Sequence, residues 1–177
     1  MNFYLLILFM FIYGFIGYIY ESTINLINKV PIKSRGFLYG PIRPIYSLGS
    51  ITIILIFYNL HLDTLPLFFL SGLFACSLEY LSSVILEKLF NKKYWDYSNN
   101  LFNLNGRVCL LGFTVFGICS VFLINIFHPI LLDIVYKNMT DRSIVYTVFI
   151  LGIVFITDLI ISLYNLYHQN KKRLHKL

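Results

Sequence analysis

The chain has 177 residues, of which 58% are hydrophobic and only 12% charged, against roughly 45–50% and about 25% in ordinary soluble domains. Eight acidic and fourteen basic side chains are too few to coat a water-soluble surface of that size, so lipid has to be the solvent. The formal charge of +6 would suggest nucleic acid in a soluble protein. Here the bases sit in loops between apolar runs, which sets nucleic acid aside and points to orientation in a bilayer. At about 20 apolar residues per span, the length leaves room for one bundle, a single transmembrane domain over residues 1–177.

The expected fold class is all-α: a polytopic helical bundle of about five spans. The first twenty residues hold no charged side chain and lack the basic start and small-residue site of a cleaved leader, so residues 3–20 read as a retained span. A polar stretch, 21–44, follows, where Pro31, Pro41 and Pro44 with Gly36 and Gly40 argue against one continuous helix. The second span, 45–60, is short and leads through a tight connection at His61-Leu62-Asp63 into the third, 65–86. The polar segment 88–107 comes next. The fourth span, 108–127, is uncharged and is expected to end at His128-Pro129, with a short interfacial helix and turn beyond it. The fifth, 143–167, is broken only by Asp158 and leads into a basic tail, 168–177.

Basic residues alternate with this span count. Lys29, Lys33, Arg35 and Arg43 lie in the first loop, and Lys88, Lys92, Lys93 and Arg107 in the third. Lys171, Lys172, Arg173 and Lys176 lie in the tail, leaving Lys137 and Arg142 for the opposite side. The positive-inside rule then predicts a cell-membrane protein with cytoplasmic loops 21–44 and 88–107, a cytoplasmic tail and an external N-terminus.

Ionisable groups at membrane depth cost about 2.5–3.5 kcal/mol on insertion scales, so each is a candidate site. Glu79, Ser83 and Glu87 recur at four-residue spacing, with Ser82 beside them, and form a polar stripe on the third span. Arg35, Arg43 and Arg107 are the candidate partners, and Glu21 lies at similar depth. The stripe is either an ion-pair network that pins the loops or a pocket for a polar ligand. Asp158 stands alone in the last span and either bonds a neighbouring Ser or Tyr or takes part in proton or substrate movement.

The loops are unusual for linkers. Residues 34–41 combine aromatic groups, glycines and a base, and Trp95-Asp96-Tyr97 adds rings that favour the headgroup level. Both segments are expected to fold back against the bundle, where non-helical backbone must be buried or line water. The scattered histidines, His61, His128, His168 and His175, read as solvated groups at span ends and in the tail. Cys76, Cys109 and Cys119 read as small core residues. No P-loop, HExxH or GxSxG pattern occurs, so no nucleotide site, metal, cofactor or catalytic residue is called.

One set of blocks carries a family resemblance: Glu21, Arg35 to Pro41, Pro44-Ile45-Tyr46, Glu79-Tyr80 with Ser83 and Leu86-Glu87, Trp95-Asp96-Tyr97-Ser98, and Asn103-Leu104-Asn105-Gly106-Arg107. In that order and spacing the chain resembles the bacterial multi-pass membrane proteins known as the "putative ABC-transporter type IV" permease family. Val115-Phe116-Gly117 departs from the pattern, which has Trp before the glycine. The resemblance makes Gly36, Gly40, Pro41, Trp95, Asp96, Tyr97 and Asn105 loop motif candidates. It implies a membrane-spanning transport subunit with a separate ATPase, although the Glu-Ala-Ala docking loop of importer permeases is not found. Five spans are few for a transport path, so a second membrane subunit or a second copy is implied. A membrane-embedded enzyme or lipid-binding protein, with Arg35 and Arg107 gripping a phosphate headgroup, is the alternative, and a structural or regulatory partner is the third.

Overall fold

A computed structural model describes residues 2–27, 29 and 38–174. All regular elements among them are helical: α1 (Phe3–Ile27), α2 (Pro44–Phe57), α3 (Thr64–Phe90), α4 (Leu110–Phe122), α5 (His128–Asn138) and α6 (Asp141–Leu174). Four helical stretches, Phe3–Ile27, Thr64–Phe90, Leu110–Asn138 and Asp141–Asn165, are long and apolar enough to cross a membrane. The expected span at 45–60 is a shorter apolar helix, α2 continued by one 3₁₀ turn to Leu60.

Several boundaries differ from the expectation: α3 runs on to Phe90 and α6 spans Asp141–Leu174, and two further differences have a local cause. α1 runs on past Glu21 to Ile27, because nothing in Ser22-Thr23-Ile24-Asn25 breaks a helix already propagating. The fourth span does not stop at His128-Pro129. A π-helical turn, Leu123–Phe127, joins α4 to α5 without a break. Proline lacks an N–H and crowds the preceding turn, but a widened turn just ahead of it absorbs both defects. The tight connection after α2 is as expected, with His61 in the left-handed conformation (φ 46°) closing the 3₁₀ turn.

Glycines and rings set the packing, as expected where lipid supplies no hydrophobic drive and close contact has to. α3 and α4 interlock reciprocally. A Cβ on Gly117 would lie 2.6 Å from the Phe68 ring, and one on Gly72 would lie 3.1 Å from Phe113. α2 lies against α1 at Gly14 and Gly17, where added methyl groups would collide with Ser47 and the Tyr46 ring. The apolar core gathers Leu5, Leu8, Phe9, Ile54, Phe57, Leu67, Ile124 and Val148 from α1, α2, α3, α6 and the π turn.

The two ends of the bundle differ in character. The hairpin end carries the tight turns around His61 and Thr140. The loop end carries two irregular segments, 38–43 and 91–109.

Candidate functional site

The segment Leu38–Arg43 enters the bundle rather than skirting it. The Arg43 backbone N–H donates to the Gly14 carbonyl (3.0 Å), Gly40 N–H to Asp158 Oδ2 (3.0 Å) and Tyr39 N–H to Ser162 Oγ (3.3 Å). Gly14 lies eleven residues into α1, about 16 Å along its axis, so α2 starts near the middle of the bundle. Leu38 is buried and Pro41 exposed. Asp158 is therefore no isolated carboxylate: it holds the backbone of this inserted segment. Gly40 is suited to the place, since an added Cβ would lie 2.9 Å from Asp158 Oδ2.

Arg43 ends the inserted segment as a buried cation. Its Nε donates to Glu21 Oε2 at 2.7 Å, and its guanidinium carbon lies 5.1 Å from the centre of the Tyr18 ring. Its Nη1 is buried without a hydrogen-bond partner among the described residues. Glu21 and Tyr18 come from one face of α1, three residues apart. The Tyr46 ring rests against Gly17 and lies within electrostatic range of both Glu21 and Glu79. That ring links the Arg43–Glu21 pair to the acidic stripe of α3.

The α3 stripe meets the second irregular segment. Glu79 is buried and accepts a hydrogen bond from the Tyr97 hydroxyl at 3.1 Å, while its Oε2 has no hydrogen-bond partner among the described residues. One turn on, Ser83 accepts from Arg107 Nη1 at 2.8 Å, and Glu87 forms an ion pair with Arg107 Nη2. Arg107 also lies over the Tyr80 ring, at 5.8 Å. Arg107 thus meets Ser83 and Glu87 of the stripe, and Arg43 pairs with Glu21. Arg35 and Gly36 lie outside the described residues.

Segment 91–109 is ordered by its own polar groups. Trp95 Nε1 donates to the Arg107 carbonyl (3.0 Å), Tyr97 N–H to the Gly106 carbonyl (2.7 Å) and Asn105 Nδ2 to the Tyr80 hydroxyl (2.8 Å). Asp96 Oδ1 accepts from the Ser98 N–H (3.0 Å) and hydroxyl, which hold its carboxyl below the usual carboxylate range. Asn105 and Gly106 take left-handed conformations, φ 55° and 67°. Cys109 caps α4, its Sγ accepting from Gly112 N–H. At the tip, Leu101 and Phe102 are each 82% exposed.

His61 is exposed as expected, but His128 is not solvated: it is wholly buried, its Nδ1 2.7 Å from the Tyr13 hydroxyl. The usable signal was the apolar run that continues past Pro129 through Ile130-Leu131-Leu132. Among the described residues no group of three His, Cys, Asp or Glu is arranged to hold a metal.

Apolar helices of spanning length, with buried charges and an inserted non-helical segment, define a multi-pass membrane protein. The chain belongs to the family described as "Putative ABC-transporter type IV", whose model matches residues 8–163. No curated protein and no solved structure matches it.

Proposed function

We propose that this chain is the membrane-spanning subunit of a transporter that works with a separate ATPase. In this reading the loop end faces the cytoplasm, the N-terminus lies outside, and the Glu21–Arg43–Tyr46–Glu79 cluster contacts a polar solute. The observation that carries it is the inserted segment, which ends on a buried arginine paired with the half-buried Glu21. Broken helices with charged groups near the midplane are how transporters build solute sites, and polar groups at that depth are costly unless used. Arg43 Nη1 and Glu79 Oε2 are a donor and an acceptor left over for that solute. The exposed Leu101-Phe102 tip, held on a hydrogen-bonded segment, is the proposed contact with the partner.

A headgroup-gripping role for Arg107 would first have to break its bonds to Ser83 and Glu87. The transport reading therefore takes precedence over a lipid-binding one. Affinity purification from native membranes tests it: an ATPase or second membrane subunit is expected to co-purify, and less of it after Phe102→Ser. Repeated recovery of the chain alone would remove the reading. Should Glu79→Gln lower stability in detergent yet leave any assayed transport intact, the cluster would be structural.

A further inference from the structure

The hairpin half of the bundle holds a second polar site, independent of the transport reading above. His128 follows the π turn directly, and such turns re-aim the side chains beyond them and recur at functional sites. The ring is fully buried, with Phe9 and Tyr58 packed against it near right angles at 5.0 and 4.9 Å between ring centres. Tyr13 takes its Nδ1, at 2.7 Å. We assign the phenol, the stronger acid of the two neutral groups, as the donor there, which puts the imidazole proton on Nε2. That atom is buried with no hydrogen-bond partner among the described residues. Leaving such a group unsatisfied is costly, so it marks a place where a partner belongs.

His128 also forms part of the wall of a cleft of about 310 Å³. Leu6, Ile54 and Leu132 make that cleft apolar, Tyr58 and Asn59 add polar edges, and no charged side chain lines it. A charged solute would lose its hydration there with nothing to replace it. Asn59 and Tyr136 are exposed and stand at its rim.

We propose that this cleft, by opening onto the buried Nε2 as a solute enters, binds a small uncharged solute that joins an apolar body to one oxygen acceptor, with the His128 Nε2–H donating to that oxygen. A ketone, ether or amide of modest size has this chemistry.

The test uses the full chain, labelled with ¹⁵N at its histidine rings, in lipid nanodiscs. Cyclohexanone is the probe, and methylcyclohexane, of similar size with no acceptor, is the control. The expected result is a saturable shift of the His128 Nε2 resonance with cyclohexanone, no shift with methylcyclohexane, and an unmoved His61. An unmoved or unsaturable His128 signal, an equal response to the hydrocarbon, or an unprotonated Nε2 would overturn the proposal. His128→Gln assigns the resonance. If that variant does not fold, His61→Gln, His168→Gln and His175→Gln assign it by elimination.

Discussion

Replacing Arg43 by methionine removes the cation that ends the inserted segment while keeping a side chain of similar reach. The backbone bond from residue 43 to Gly14 survives, since any residue but proline supplies that N–H. What is lost is the Nε bond to Glu21 and the contact with the Tyr18 ring, and Glu21 is left charged without its partner. Breaking a buried pair from one side costs about 3–5 kcal/mol. Glu21 keeps 24% of its side-chain surface exposed, which screens the stranded charge and puts the cost near the lower bound, about 3 kcal/mol. Replacing both partners, as Arg43→Met with Glu21→Leu, strands no charge and is expected to recover about 2 kcal/mol or more. Trp95 is the one tryptophan in the sequence, so its fluorescence reports on segment 91–109 during unfolding by SDS in mixed micelles. Circular dichroism reports on the helices in the same titration. A double variant no more stable than Arg43→Met alone would refute the idea that a stranded carboxylate sets the cost.

Three further outcomes are expected. Gly17→Ala should destabilise by about 1–3 kcal/mol in the same titration, because its methyl group meets the Tyr46 ring; an unchanged midpoint would mean that α1 and α2 are not in this contact. Arg107→Ala frees Ser83 and Glu87 and unpins the segment, so amide exchange over residues 91–109 should quicken while α1 keeps its protection. The Asp96 carboxyl has its folded pKa lowered by Ser98, so its contribution is present above the ordinary value of about 3.9 and lost as pH falls through the lower folded value. The protection factor near Ser98, exchange corrected for its intrinsic pH dependence, should therefore hold steady from pH 7 to about pH 4 and fall only below that, a response that Asp96→Asn abolishes.

Composition made the solvent legible, because so few charges cannot coat a soluble domain. Four-residue spacing put Glu79, Ser83 and Glu87 on one face of α3, and the structure brings Arg107 and Tyr97 to that face. The Arg43–Glu21 pair was not legible as a pair. Its members are 22 positions apart, across a break in the helix, and no periodicity relates them. Asp158 looked solitary because its closer partner is a backbone N–H, which carries no residue signature, while Ser162 one turn on adds only a longer bond of 3.5 Å. His128 escaped because a histidine before a proline resembles the end of a helix, and the π turn that carries the helix onward has no distinctive composition.

The start of α2 at the depth of Gly14 bears on how the protein is made. Pro44–Leu60 is too short to qualify as a span by itself, and its leading end carries a guanidinium that needs a carboxylate on the preceding helix. Presented singly to the insertion machinery, it would meet lipid with a bare cation and a free backbone N–H. Membrane entry as a hairpin with α1 avoids that exposure, since Glu21 and the Gly14 carbonyl are already in place when Arg43 arrives. The geometry thus favours entry of α1 and α2 as a pair, with the first helix sheltering the polar start of the second.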